Sequence, residues 1–579
     1  MREFPKSVRT AFLLVLVVML APCCALAQTD PCPRPAQGSV IADPPDLYSR
    51  NGVLKVTFDY YTTVDRWGRT LFCYVTPQGD EAPTLHLNPG DRLDLTLTNL
   101  EPASPPVGLE QIAGKPTACG ALYMTAQSVN LHFHGMNVSP RCHSDEVVHT
   151  LVSPGQSFHY KIDVPKDEPP SMYWYHAHVH TIANSAVEGG ASGAIEVEGI
   201  ANLQHAVQGL PQRFLVLRDQ PLQNPDKTRH HVQTVPSWDV SVNFVPVPYP
   251  RYQPAIIRMQ AGAREFWRVV NASADTIMDL QLLYDRKAQP LQIVAFDGVP
   301  TGSQDGRHQG TIVTQNDVLI PPAGRAEFII TGPTASVKQA VLITKHIDTG
   351  PIGDSDPRRP LVRIQLTADK RAIPKPILAV AGPVSGDRFS NLDGSMVTAH
   401  RKLYFYEIAT SNKHTPWGGG AFYITVVGQT PIAYYAGEPP AITTNEGAVE
   451  DWKIENRTHE VHEFHIHQIH FQVIAVNDVP IPPDKRQWYD TYQVPYLPEN
   501  GYTGKGKWPS ITVRMDFRGA VVGEFVYHCH ILDHEDGGMM ANILVLPKGG
   551  GGNHARAQDR QPARTRPVKL GARVMYPRA

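Results

Sequence analysis

Net charge is almost absent from this sequence: 53 Lys and Arg stand against 55 Asp and Glu, leaving −2 at pH 7. Nothing in that balance argues for a nucleic acid or an anionic membrane surface as partner. Long apolar runs are scarce as well. The stretch 11–21 is unbroken but too short to span a bilayer. Methionine is sparse, 12 in all, with no cluster beyond Met539-Met540, which argues against a thioether-rich segment for collecting metal. Cysteine is sparser still, at seven. Proline and glycine, by contrast, are plentiful, 52 and 45, and punctuate short β-rich runs, so an all-β chain is expected. With 42% apolar and 19% charged residues, 579 residues make an ordinary globular protein too long for one core. Roughly three or four domains follow from that length.

Residues 1–27 read as a secretory signal. Arg2, Lys6 and Arg9 precede the apolar stretch, and Ala25-Leu26-Ala27 offers small residues at a cleavage site. There is no Arg-Arg pair, which favours the general secretory route. Cys23 and Cys24 fit a lipoprotein processing site poorly. A secreted or periplasmic protein is expected. In such a compartment Cys32, Cys73, Cys119 and Cys142 can form two disulfides, with three pairings open. Cys529 is left over, and its neighbours are histidines.

A threefold repeat organises the chain. LNPGDRLDLTLTN at 87–99, MQAGAREFWRVVN at 259–271 and TNEGAVEDWKIEN at 444–456 each run from a glycine (Gly90, Gly262, Gly447) to an asparagine nine residues on (Asn99, Asn271, Asn456). Leu95, Trp267 and Trp452 occupy the same offset. A turn glycine feeding a half-buried strand is the physical content of the pattern. The outer copies alone carry His-X-His pairs, so the middle copy reads as a spacer. Boundaries near 38–205, 206–372 and 373–548 are expected. A tail at 549–579 with seven Arg or Lys and one Asp is expected to be disordered.

In a strand, residues i and i+2 share a face, so His-X-His aims two imidazoles at one metal. Four such pairs occur: His132/His134, His176/His178, His465/His467 and His528/His530. With His462 and His534 they take up ten of 25 histidines. Cys529 lies between His528 and His530, with His534 and Met539 following. A thiolate, two imidazoles and a thioether form the ligand set of a blue-copper electron-transfer centre. Zinc is the rival for Cys and His ligands, but structural zinc sites show paired Cys-X2-Cys or short His-X3–5-His spacing, which a lone cysteine among many histidines does not match. His528 and His530 point to the strand face opposite Cys529, so the backbone would join two metal centres.

HFHG at 132–135, WYHAH at 174–178, HEFHIH at 462–467 and HCHILDHEDGGMM at 528–540 together resemble the multicopper oxidases, across essentially residues 40–548. The resemblance implies three Greek-key β-sandwich domains of cupredoxin type and four copper ions per chain. It implies type 1 copper at His462, Cys529, His534 and axial Met539, with donor electrons arriving at His462. It implies type 2 copper at His132 and His465, and paired type 3 coppers at His134, His176, His178, His467, His528 and His530. The histidine cluster would then lie between the first and third domains. Asp145 and Glu535 resemble residues that deliver protons. His143, His180 and His470 are expected near the centres or at the surface rather than as ligands.

One departure is visible: Glu463 stands where relatives commonly have proline, and is expected to reshape the substrate mouth. The implied activity is laccase-like, one-electron oxidation of phenols or similar small donors coupled to reduction of dioxygen to water. A cuprous-ion oxidase is the alternative, and a non-catalytic copper-binding scaffold conflicts with all twelve ligand positions being filled. Copper nitrite reductases share the sandwich but lack the full histidine set. Dioxygen and a small reductant are the expected partners, with no nucleic acid and no stable membrane association. Asn137, Asn271 and Asn456 would be glycan acceptors in a glycosylating host.

Overall fold

The computed structural model describes residues 32–549, apart from 105, 112–118, 120–122, 224–233, 304–309, 381–383, 386–387, 409–420, 436 and 520. The leader expected at 1–27 and nearly all of the tail expected at 549–579 lie outside the described residues. The regular structure among the described residues is mostly strand, arranged as three pairs of sheets with one small two-stranded sheet beside them. A four- and a five-stranded sheet occupy the first third of the chain, an eight- and a six-stranded sheet the middle, and a seven- and a five-stranded sheet the last third. Each pair closes on its own apolar core. Cupredoxin-like sandwiches are thus repeated along the chain. Among the described residues no helix is long and apolar enough to cross a membrane.

The threefold repeat has a structural cause. Gly90, Gly262 and Gly447 sit at φ +88°, +67° and +89°, a left-handed turn that favours glycine. Each turn feeds a strand, Arg92–Asn99, Arg264–Asn271 or Val449–Asn456. Each strand pairs parallel with the first strand of its own sheet, Val53–Val64, Gln212–Gln220 or Ala399–Ile408. The closing asparagine explains its own recurrence. Asn99 donates its amide to the carbonyls of Gln127 and Val152, Asn271 to Thr276 and Ile320, and Asn456 to Glu460 and Val494. One buried side chain thereby satisfies two backbone carbonyls in each domain. The glycan reading of Asn137, Asn271 and Asn456 is overturned: all three are fully buried.

The disulfides are Cys32–Cys73 and Cys119–Cys142, and Cys529 is free and buried. Two short helices meet between the first and third sandwiches, Ala183–Glu188 and Leu532–Asp536. The Asp536 carboxylate accepts the N–H groups of Thr181 (2.6 Å) and Asn184 (2.9 Å) there. Those bonds clamp the segment carrying His534 to the domain that carries His176 and His178.

Candidate metal centre

The strand His132–His134 ends its sheet and pairs antiparallel with Met172–His176, placing His132 opposite His176 and His134 opposite Trp174. In the third sandwich His462–Ile466 pairs antiparallel with Gly523–Cys529, placing His465 opposite His528 and Phe464 opposite Cys529. The period of two then separates the faces: His465 and His528 look toward the first sandwich, while Cys529 looks into its own core. All eight histidines of the four pairs are buried, none more than 2% exposed.

They converge on one spot. His132 stacks on His467 with ring centres 3.8 Å apart, and His134 on His465 at 4.1 Å. His528 Nε2 lies 3.2 Å from His467 Nε2 and 3.4 Å from His178 Nε2. Three overlapping triads, His132/His134/His176, His132/His465/His467 and His178/His467/His528, each bring their ligand atoms within 4.8 Å of one another. Burial holds every one of these rings below the usual histidine range, and neighbouring histidines or Arg325 add to that for most of them. Neutral imidazoles present lone pairs, the form a metal takes.

The partners of the outward nitrogens settle which lone pairs face inward. His132 Nδ1 lies 3.0 Å from Asp145 Oδ1, His134 Nε2 lies 3.1 Å from Asp490 Oδ1, and His465 Nδ1 donates to the Asp490 carbonyl at 2.8 Å. His176 Nδ1 donates to the Ala177 carbonyl and His528 Nδ1 to that of Cys529, both at 2.9 Å. The opposite nitrogens of His132, His134, His176 and His465 have no hydrogen-bond partner among the described residues; neither does Nδ1 of His467 nor either nitrogen of His530. Leaving a buried polar group unsatisfied costs about 1–3 kcal/mol. A group of them facing one another is what a metal cluster satisfies, so the donor set fits copper.

The sulfur site is separate. Cys529 Sγ lies 3.6 Å from His462 Nδ1 and 3.7 Å from His534 Nδ1, which are 3.1 Å apart. His462 Nε2 bonds Thr458 Oγ1 at 2.9 Å, and His534 Nε2 lies 3.3 Å from Glu460 Oε1. Protons held on both Nε2 atoms leave both Nδ1 lone pairs for the metal beside the sulfur. Met539 is fully buried in the same core, tied by its N–H to the His534 carbonyl and by its carbonyl to the Cys529 N–H.

Two expectations are corrected here. His462, expected to receive donor electrons, is fully buried, whereas His534 lines a pocket at 6% exposure, so the accessible edge of the sulfur site lies at His534. Glu463 does not shape the substrate mouth, because its side chain is wholly buried and accepts from Gln493 Nε2 at 3.1 Å. His143 is exposed and bonds the His159 carbonyl, His180 lines an apolar pocket beside His178, and His470 bonds the Asp297 carbonyl at 2.7 Å. None of these three falls within the triads named above.

Asp145 and Glu535 both touch the cluster. Asp145 meets His132 through Oδ1 and accepts from Gln468 Nε2 through Oδ2 at 2.6 Å, with burial pushing its carboxyl up to about 7. Glu535 lies 3.2 Å from His528 Nδ1 and 3.7 Å from His178 Nδ1. Burial, and then the neighbouring Asp536, hold its carboxyl well above the usual range.

The middle sandwich is more than a spacer. Its Arg325 forks onto Asp490 through two bonds of 2.8 and 2.5 Å, while Asp297 accepts the Arg325 and Asp490 N–H groups. Asp490 in turn orients His134 and His465. The same pair explains the glycine of HFHG: Gly135 is at φ +82°, and a Cβ there would collide with the Arg325 guanidinium and the Asp490 carboxylate. Nothing in the run WYDTYQV at 488–494 marks Asp490 as more than a strand residue. Glu460, two residues before His462, was within reach of motif reading but carried no spacing signal.

Profiles of the multicopper oxidase family match residues 123–201 and 413–549. The laccase of Bacillus subtilis (strain 168) is 23% identical over 423 residues, covering 66% of this chain and 71% of that protein. A multicopper oxidase of Staphylococcus epidermidis (strain ATCC 12228 / FDA PCI 1200) is 22% identical over 474 residues, covering 80% and 81%. In fold, the chain matches a multicopper oxidase from Campylobacter jejuni, described as a metallo-oxidase, with a TM-score of 0.61 at 20% identity, over 89% of this chain and 97% of that one. Motifs, fold, buried histidine cluster and relatives agree: this chain is a copper-binding oxidoreductase of the multicopper oxidase family.

Proposed function

We propose that the protein couples one-electron oxidation of small donors to the four-electron reduction of dioxygen to water. The observation that carries this reading is Cys529 itself, bonded through the backbone to His528 and His530, so that the sulfur site and the histidine cluster are joined by a few covalent bonds. Four coppers would be held: one by His462, Cys529, His534 and Met539, one by His132 and His465, and two by His134, His176, His178, His467, His528 and His530. Copper so held supplies one-electron redox chemistry at the sulfur and oxygen reduction at the cluster. The chain's residues do the rest. His534 faces the donor, Asp145 and Glu535 hold protons at the cluster's edge, and Asp490 fixes two rings. Asp145→Asn and Glu535→Gln should each slow reoxidation of the reduced enzyme by dioxygen more than its reduction by donor, measured by stopped-flow. Equal slowing of both steps would remove the two carboxyls from proton delivery.

The donor class is where the pocket speaks. Phenols and similar organic reductants remain the laccase-like reading, but the space beside His534 is small and lined by Asp275, Asp354, Asp356 and Glu460. Asp275 is 2% exposed; its Oδ1 accepts the Asp533 N–H at 3.0 Å, and its Oδ2 has no partner among the described residues. Carboxylates suit a hard divalent cation better than soft cuprous ion. This lining favours an oxidisable divalent cation, ferrous or manganous, as a second donor class. Burial, with further carboxylates nearby, pushes Asp356 up to about 7 against the pull of Arg359. Below that pH it is neutral and binds a cation weakly; above it the charge is present. Thus kcat/KM for ferrous ion should rise between about pH 5 and 7, by up to about tenfold per unit. Oxygen uptake with a phenol and with ferrous ion, with peroxide assayed alongside, tests both classes. Asp275→Asn should lower the ferrous-to-phenol ratio about tenfold, the effect of ~1.4 kcal/mol in binding; an unchanged ratio removes the cation reading. No uptake with either donor at full copper content would sink the oxidase itself.

The leader-like residues 1–27 and the two disulfides support export to an oxidising compartment.

A further inference from the structure

Glu463 follows His462 in the HEFHIH motif, and its peptide group does something a proline there could not. Its N–H donates to Cys529 Sγ at 3.4 Å, and its carbonyl accepts the His530 N–H at 2.8 Å. The Ile531 N–H also reaches the sulfur. Cys529 therefore receives two backbone donors, in a core where the sulfur, His462 and Glu463 are all fully buried. Proline at 463 would leave one, because it has no N–H.

The direction of the effect follows from charge. An N–H aimed at a thiolate stabilises negative charge on sulfur, and a metal–thiolate centre carries more of that charge after gaining an electron. The reduced form is therefore favoured. Burial strengthens the interaction, since low local dielectric leaves the dipole unscreened, and hydrogen bonding around the cysteine sulfur is one of the means by which such centres are tuned. Resting on the copper assignment proposed above, we infer that the Glu463 N–H is a potential-setting hydrogen bond to Cys529, placing the midpoint of the sulfur centre above that of the same centre with proline at 463. Glu463 is a positioning residue in this role: it meets neither donor nor dioxygen, and acts through the sulfur. The position is suited to the change, since His462 and Glu463 lie in an extended strand, the conformation that proline imposes on itself and its predecessor. The N–H is aimed at the sulfur, on the same side as the carbonyl that accepts from His530.

The test compares copper-loaded wild type, Glu463→Pro and Glu463→Gln by potentiometric titration of the blue absorption. Glu463→Pro should shift the oxidised-to-reduced ratio at fixed potential about tenfold toward the oxidised form, equivalent to about 59 mV for one electron. Glu463→Gln keeps the N–H and should not show that fall. An unchanged or raised midpoint in the proline variant would overturn the inference. So would an equal fall in the glutamine variant, which would assign the effect to the carboxyl. If the proline variant does not fold, electron–nuclear double resonance on the wild type decides: two distinct exchangeable amide protons coupled to the oxidised centre, one for Glu463 and one for Ile531, support the bond, and a single one overturns it. A wild type with full copper but no blue absorption would instead defeat the copper assignment, a distinguishable outcome.

Discussion

Cys529→Ser should remove the blue absorption and reduce oxygen uptake with every donor to the level of the copper-free protein. The serine hydroxyl is nearly isosteric but is neither a soft ligand nor a thiolate, and the sulfur is what distinguishes the His462/Cys529/His534 site from an ordinary histidine pair. The loss should exceed the roughly 10–100-fold that removal of an outer hydrogen-bond partner of a metal ligand costs. The fold should survive. Cys529 is buried among Phe464, Tyr527 and Met539, and its backbone bonds to the Met539 carbonyl and the His528 ring are unchanged by the substitution. The histidine cluster should therefore keep its copper. Metal analysis, visible absorption and oxygen uptake on one preparation check all three statements. A blue band retained in the serine variant would end the assignment of Cys529 to the type 1 site.

That much was legible from sequence because strand geometry is periodic. Residues two apart share a face, so HFH, HAH, HIH and HCH announce converging imidazoles before any fold is known, and Cys529 between two of them announces a second site on the opposite face. The repeat from Gly90, Gly262 and Gly447 to Asn99, Asn271 and Asn456 was legible for a similar reason. A left-handed turn selects glycine, and a buried amide bridging two backbone carbonyls selects asparagine.

What escaped were residues whose importance is set by burial and by contacts distant in sequence. His462 was read as the ring that receives donor electrons from motif position alone, yet exposure is a property of packing, and Phe405 and Thr458 close over it. Glu463 is expected at the substrate mouth from its place beside His462; here it is in the core. Arg325 and Asp490 are 165 residues apart, and Asp490 and His134 are 356 apart, so no local pattern joins them. The acidic pocket is likewise assembled from Asp275, Asp354 and Asp356 of the middle sandwich and Glu460 of the third.

Arg325→Ala is the second variant expected to have a large effect, through a domain that holds none of the expected ligands. The guanidinium is fully buried and satisfied by Asp490, the Ala323 carbonyl and the Met172 carbonyl, so it ties together all three sandwiches. Burial alone would raise the Asp490 carboxyl, but the Arg325 charge and hydrogen bonds, with His470 and His465, outweigh it and hold Asp490 below the usual range. Removing one partner of a buried pair costs about 3–5 kcal/mol, because the other charge is left uncompensated. The sign with pH is fixed by linkage. In the wild type a depressed carboxyl contributes stability above the unfolded-state value and loses it on acidification; in the variant Asp490 is raised by burial, and that stability is lost as pH climbs. The melting temperatures of the two proteins should thus be closest near pH 4 and diverge toward pH 7. A gap that stays constant across that range would refute the pairing argument. The functional effect is separable from the thermal one. A neutral Asp490 accepts less strongly from His134 Nε2, so the tautomer that leaves Nδ1 facing the cluster is less firmly held, and copper at the histidine cluster should fall while the blue site is retained. Adding Asp490→Asn to Arg325→Ala removes the carboxyl left without its partner and should recover part of the stability. It should not recover the cluster, because an amide that can flip no longer dictates which His134 nitrogen carries the proton. Recovery of both together would mean that Asp490 acts only through stability, and that the middle sandwich is a spacer after all.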